Sequence, residues 1–381
     1  MKKNEKWAQI IFLIAYFIEL GILLVDKSAL INPIEGRLFQ VTFVLFVICI
    51  IMTNYSNQEW LIIIIFGLIG AISYFSTQRN EIIRIVVFLA AAKSIPLRKL
   101  MVITFWTTCA GVFLLMFLSM IGIMGEVALT TDFGRGGIET RYCFGLGHPN
   151  ALHCMIWSLV TLGIYLYFEK IKWYHYSVLF LGNIILYQLT LSRTGVIITT
   201  LTILLSVLFT YMKSFRENKL VYDLGKIILL LAFLFSVIAA AVGTNWIVFD
   251  FIDRYLTGRI HFSQIYGGTF SWSAFSDSQN LEYFDMGFMR LFYWYGVVPG
   301  ILSFAVLWLM ITNCFKRKDY RMYLVVMVFV IYTIVEAHAV SVYIPRNYII
   351  LLLSGCWTTF LGDSVREERD ILGLVKFAFH R

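Results

Sequence analysis

Four short motifs hold most of the residues that could do chemistry in this chain. They are RYCFGLGHPN (Arg141–Asn150), LSRTG (Leu191–Gly195), LTGRIHF (Leu256–Phe262) and DMGFMRLFYWYGVVPG (Asp285–Gly300). In the first, Gly145 and Gly147 permit a tight turn, Pro149 suits the first position of a helix and Asn150 falls in its first turn. A helix N-terminus presents free N–H groups and positive dipole to an anion, and Arg141 stands just ahead of it. His148 is either a participant or a cap satisfied by backbone. Arg193 sits in a connection too short for anything but a tight turn, so its guanidinium either reaches lipid headgroups or folds into the protein. Gly258 beside Arg259 allows close backbone approach to a ligand, with His261 two residues on. Asp285 stands at the mouth of an apolar segment and Arg290 about a turn and a half further in. Charges there are costly unless paired or functional, and a separation of five is not the usual helical ion-pair spacing. Glu336 and His338 are expected at the same level, where a structural pair with arginine is the plain alternative for Glu336.

Several chemistries lack their signatures. There is no G-x-x-x-x-G-K-[ST], H-E-x-x-H or G-x-S-x-G, and no D-x-D of the kind that holds a metal and a nucleotide sugar. No metal site and no cofactor are expected. Cys49, Cys109, Cys143, Cys154, Cys314 and Cys356 are scattered without a C-x-x-C, so neither zinc nor a disulfide framework is signalled.

The elements that must position these motifs are membrane helices. Of 381 residues, 60% are hydrophobic and 14% charged, against ~45–50% and ~25% in soluble domains. Mean hydropathy is +0.79. Twelve apolar segments approach the ~20 residues needed for a span: Trp7–Val25, Phe39–Met52, Trp60–Phe75, Ile82–Ala92, Leu100–Met124, Asn150–Phe168, Trp173–Leu191, Thr194–Met212, Lys226–Val242, Met289–Phe315, Tyr320–Val340 and Ile344–Leu361. The fourth is short, and the orientation of everything before it would reverse if it were interfacial. The N-terminal segment lacks a small-residue cleavage site and reads as a retained span. With both termini cytoplasmic, 20 of the 31 Lys and Arg fall on the inside and 11 outside, as the positive-inside rule requires. Thirteen of the inner cations are Lys and ten of the outer ones are Arg. Lysine is a point charge that suits topology, whereas arginine is a planar fork for phosphate and carboxylate oxygens. The net charge of +8 therefore points to topology and not to nucleic acid.

The expected fold is an all-α polytopic membrane protein of about twelve spans, forming one transmembrane domain. Residues 243–285 form a large extracytoplasmic loop within it, and residues 362–381 a short cytoplasmic tail. The long loop is rich in Tyr, Trp and Phe, whose faces suit sugar rings, although a folded cap with its own small core fits the same composition. No internal repeat is evident.

These motifs, in this order, resemble the bacterial O-antigen and capsular polysaccharide polymerases of the Wzy type and the related O-antigen ligases. The shared features are Arg141 followed by Gly145–Asn150, then Ser192–Gly195, then Asp285 with Leu291, Tyr295 and Gly296. Gly258–Arg259 corresponds to the ligases' G-R. Where the ligases carry a histidine eleven residues before the last glycine, this chain has Asp285, which favours a polymerase. The resemblance implies glycosyl transfer from undecaprenyl-pyrophosphate-linked glycan at the outer face of the bacterial cytoplasmic membrane. Lipid pyrophosphate is the leaving group, so neither nucleotide nor obligatory metal is needed. Arg141, Arg193, Arg259 and Arg290, with Asn150 and His261, become candidates for holding the pyrophosphate. Asp285, then Glu336, with His148 or His261 behind them, become candidates for the base. Partners would be the lipid-linked donor and acceptor, membrane lipids, a flippase and a chain-length regulator. The alternatives are a ligase acting on another acceptor and a lipid-linked-oligosaccharide flippase or transporter.

Overall fold

The computed structural model describes residues 2–28, 30–341 and 347–355. Its helices run α1 (Lys2–Asp26), α2 (Glu35–Met52), α3 (Asn57–Thr77), α4 (Glu81–Ala91) and α5 (Leu97–Met120). A β-hairpin follows, β1 (Ala128–Asp132) and β2 (Ile138–Tyr142). The chain continues through α6 (Pro149–Tyr167), α7 (Trp173–Thr190), α8 (Arg193–Tyr211), α9 (Lys213–Glu217) and α10 (Lys219–Val242). The long loop holds α11 (Ile247–Leu256) and α12 (Arg259–Phe262), and the fold closes with α13 (Gly287–Tyr295), α14 (Val297–Arg317), α15 (Tyr320–Thr333) and α16 (Tyr348–Gly355).

Eight of these, α1, α2, α3, α5, α6, α8, α10 and α14, are long and apolar enough to cross a membrane. Their outward faces carry large apolar side chains such as Phe75, Phe113, Ile197 and Leu231, all well exposed, as lipid-facing surfaces require. The chain is a multi-pass membrane protein. The other expected spans differ for separate reasons. α4 has 11 residues, roughly 16 Å at the helical rise and about half of a hydrocarbon core. α7 has 18 residues but is diluted by His175, Asn183 and Gln188. The segment Met289–Phe315 breaks at Gly296, where φ is +99°, into α13 and α14. α13 and α15 are almost wholly buried within the bundle. The tail 362–381, Arg346 and Cys356 lie outside the described residues, as does most of Ile344–Leu361 beyond α16. The structure is consistent with the expected all-α polytopic membrane protein, and the hairpin is the one β element among the described residues.

Side-chain contacts define two ends of the bundle. At one end, Gln9 at the start of α1 donates to the Ser94 carbonyl just after α4 (3.1 Å). There Lys93 pairs with Glu59 at the start of α3 (2.6 Å), and Gly355 closing α16 abuts Leu97 opening α5. At the other end, Gly147 lies against the backbone of Ser28, just past α1. Arg79, between α3 and α4, reaches the Asn280 carbonyl of the long loop (3.2 Å). The short α4 thus still carries the chain from one end to the other, and both ends of the described chain lie away from the hairpin and the long loop. Within the bundle, Arg84 of α4 pairs with Glu19 of α1 at 3.0 Å, both buried. Thr42 of α2 donates to the same carboxylate (2.6 Å). Arg84, counted among the 11 outer cations by sequence, is therefore an internal tie between three helices.

Candidate functional site

The site starts from three local constructions at one end of the bundle. In the first, Gly145 and Gly147 take positive φ (+77° and +68°), turning the chain after the hairpin so that α6 starts with His148 as N-cap and Pro149 in its first turn. The Asn150 N–H donates to His148 Nδ1 at 3.1 Å, which fixes the neutral ring with its proton on Nε2. In the second, α7 ends in the left-handed residue Leu191 (φ +49°), and Ser192 caps α8 by accepting from the Gly195 N–H (3.3 Å). Arg193 then opens α8. The turn is close because Gly195 packs on the His153 ring, where a Cβ would fall 2.5 Å from ring carbons. His153 is itself held by Thr190 (3.0 Å) and Asn183 (3.1 Å). In the third, the Ile260 N–H donates to Asp253 (2.7 Å), and Gly258 (φ +83°) turns Arg259 into the protein.

The hairpin adds a fourth construction. Its register pairs Leu129 with Arg141 and Thr131 with Glu139. Side chains two apart on a strand share a face, and Arg141 binds Glu139 through Nε at 2.8 Å and Nη2 at 2.5 Å. The other face carries the Thr130–Thr140 hydroxyl pair (2.9 Å).

Together these enclose one cavity of about 570 Å³. Arg141, His148, Asn150, Arg193, Arg259 and Asp285 all line it. Arg259 is buried between two carboxylates, with Nε at 3.1 Å from Asp285 and Nη2 at 2.6 Å from Glu336. Its Nη1 is buried without a protein acceptor. Burial opposes the charge on Arg259, but Glu336 and Asp285 outweigh it and raise the group above its ordinary value. Asp285 keeps half of its side chain exposed. For His148, partial desolvation, then Arg141, push the imidazole below its usual range, with Asp285 opposing and Arg259 reinforcing.

Three sequence candidates take other places. Glu336 stands behind Arg259, outside the cavity lining. Arg290 lies inside α13, donating to the Phe284 carbonyl (3.1 Å) and stacking 3.8 Å from the Trp294 ring and 4.2 Å from that of Tyr283. It holds the back of the wall whose front is Tyr283, Phe284 and Asp285. His261 is exposed beside Phe262 and does not line the cavity. The expected structural pair for Glu336 and the cap for His148 are both present.

Arg135 also lines the cavity and is absent from the sequence candidates. It donates to the Leu191 carbonyl (2.9 Å) and lies 3.6 Å from Glu139. It sits between Gly134 and Gly136, the same glycine–arginine signal that marks Arg259. The remaining wall is aromatic, with Tyr266 nearly parallel to Phe262 (6°) and stacked on Phe284. Among the described residues, no group of three or more His, Cys, Asp or Glu side chains is placed to hold a metal ion. Compared with protein-family models, with curated proteins and with solved structures, the chain matches none.

Proposed function

We propose that this chain is a polysaccharide polymerase of the bacterial cytoplasmic membrane, joining undecaprenyl-pyrophosphate-linked repeat units at the outer face. The observation that carries the reading is the convergence of Arg135, Arg141, Arg193 and Arg259 with Asp285 and aromatic rings on one cavity of a membrane bundle. Pyrophosphate is a good leaving group that needs fixed positive charge, and the transfer needs one base for the acceptor hydroxyl. The acceptor oxygen attacks the anomeric carbon of the donor and gives its proton to Asp285. The bond from that carbon to the phosphate oxygen breaks, and its electron pair leaves with the lipid pyrophosphate. Arginines of the hairpin and of α8 hold that anion. Arg259 orients Asp285, Glu336 anchors Arg259, and the stacked aromatic side chains offer faces to sugar rings.

The threading that goes with this reading has twelve crossings, counting the short elements, with both termini cytoplasmic. The lysine-rich connections and both ends of the described chain lie opposite the cavity, which supports an outward-facing site. A flippase would deliver the substrate and a chain-length regulator would act on the product. The asymmetric placement of charge at one end, without related halves, favours an enzyme over a transporter. The test is deletion of the gene in its host, with analysis of lipid-linked and surface glycan. Single repeat units in place of long chains are expected, and normal chain lengths in the deletion strain overturn the reading.

A further inference from the structure

One wall of the cavity already holds an anion. Glu139 makes two contacts to Arg141, at 2.8 and 2.5 Å, and lies 3.6 Å from Arg135. Arg141 is buried and its guanidinium is 3.9 Å over the Phe133 ring, so it has little freedom to follow Glu139 elsewhere. Glu139 is the freer partner, with 30% of its side chain exposed; it is not among the lining residues but shares a strand face with Leu129, Thr131 and Arg141, which are. Arg135 brings a second guanidinium whose Nε is buried without a protein acceptor. Arg193 brings a third from the start of α8, exposed to the same cavity. Asp132 also lines this wall, but its carboxylate accepts the N–H groups of Gly134 (2.8 Å) and Arg135 (3.2 Å). Two guanidiniums therefore contact a single carboxylate, and a third lines the same cavity.

We propose that Arg135, Arg141 and Arg193 form one phosphate site that Glu139 occupies in the empty protein, and that a phosphate oxygen of the incoming substrate replaces the Glu139 carboxylate. That this phosphate belongs to a lipid pyrophosphate rests on the polymerase reading. The exchange makes and breaks only ion pairs and hydrogen bonds. Its consequence is an occupancy threshold. A cavity rimmed by arginines in a membrane is surrounded by anionic headgroups, and a tethered carboxylate weakens every such ligand by the same factor. Singly charged headgroups then fall below useful occupancy, while a pyrophosphate, with more charge and more acceptor oxygens, still binds. Arg135 becomes a substrate-binding residue, and Glu139 a built-in competitor.

The sign of one measurement decides this. The full chain, in nanodiscs of neutral lipid, is titrated with inorganic pyrophosphate, with a polyprenyl pyrophosphate and with short-chain phosphatidylglycerol. Glu139→Gln is expected to tighten pyrophosphate and phosphatidylglycerol by a common factor of about three to five, the scale of a partly exposed ion pair. Arg135→Gln is expected to weaken both by about tenfold. A Glu139 that merely holds Arg141 in position gives the opposite sign, because its removal weakens binding; weaker or unchanged affinity overturns the proposal. Glu139→Asp, too short to keep both contacts, shifts affinity in the same direction by less and provides a second variant if the first folds poorly. Tightening with inorganic pyrophosphate and phosphatidylglycerol, but no binding of polyprenyl pyrophosphate to any form, upholds the exchange and overturns the polymerase reading.

Discussion

The two walls of the cavity use the same residue types to opposite effect. On the long-loop wall, one buried arginine, Arg259, lies between two carboxylates, Asp285 and Glu336. On the hairpin wall, Arg135 and Arg141 contact one carboxylate, Glu139, and Arg193 lines the same cavity. The first wall carries net negative charge at a fixed position, and the second carries net positive charge with a replaceable partner. Glycosyl transfer from a lipid pyrophosphate needs both. A proton must leave the acceptor and positive character develops at the anomeric carbon, while negative charge develops on the departing phosphate. The separation of sign across the cavity gives the reaction a direction, and each wall is tested by a substitution that changes its balance.

The largest effect is expected on the long-loop wall. Arg259→Ala leaves Glu336 buried without its cation and Asp285 without its guide. Breaking a pair of this kind costs about 3 kcal/mol or more, so a lower melting temperature in detergent should accompany complete loss of polymer. Retention of both would remove Arg259 from the centre of this wall. Asp285→Asn is expected next, because its amide oxygen still accepts from Arg259 and the half-exposed position tolerates the change. Stability should stay near wild type while the polymerisation rate falls by ~10²–10⁴, the range for loss of a general base. Full-length glycan from this variant, at matched membrane abundance, excludes Asp285 as the proton acceptor.

On the hairpin wall the losses should be smaller and should appear in substrate affinity. Arg193→Gln removes one of three guanidiniums and leaves the Ser192 cap of α8 untouched. A rise in KM of about tenfold with modest change in kcat is expected, because shared charge is lost without loss of a unique group. A kcat effect as large as that of Asp285→Asn would erase the distinction between the walls.

The sequence made the parts legible more readily than their partners. The cap at His148 and Pro149, the turn at Ser192 and the inward arginine after Gly258 follow from local rules, because glycine, proline and capping residues act over three or four positions. Arg141, Arg193, Arg259 and Asp285 carried enough local signal to be singled out, and they do share one cavity. What local rules could not supply was distance along the chain. Glu336 pairs with Arg259 across 77 residues, and nothing near either fixes that choice. Glu139 precedes Arg141 by only two residues, yet it matters only once β2 forms and puts both on one face. Where the apolar segments begin, end and break was less legible for a related reason. Apolarity marks burial in lipid and burial in protein alike, so the buried elements α13 and α15 look the same in sequence as lipid-facing ones, and the break at Gly296 depends on packing against Ala274 and Phe275.

The smallest expected effect lies between the walls, at His148. Its Nδ1 accepts the Asn150 N–H, which requires the neutral ring, and desolvation with Arg141 lowers its pKa below the ordinary 6.5. The folded protein thus binds this proton less readily than the unfolded chain. The stability from neutral His148 is fully present above pH 6.5 and is lost as pH falls towards the folded pKa. Protonation also removes the cap and adds a charge beside Arg141. His148→Asn keeps an oxygen to cap α6 and does not titrate. Activity at pH 7.5 within about threefold of wild type is expected, since a cap substitution that preserves the hydrogen bond costs little. The decline in melting temperature between pH 6.5 and 5 should become shallower than in wild type. A tenfold loss at pH 7.5 with the melting temperature unchanged would instead assign the imidazole to the substrate. The Nε2–H would then donate into the cavity, next to the anion held by Arg141.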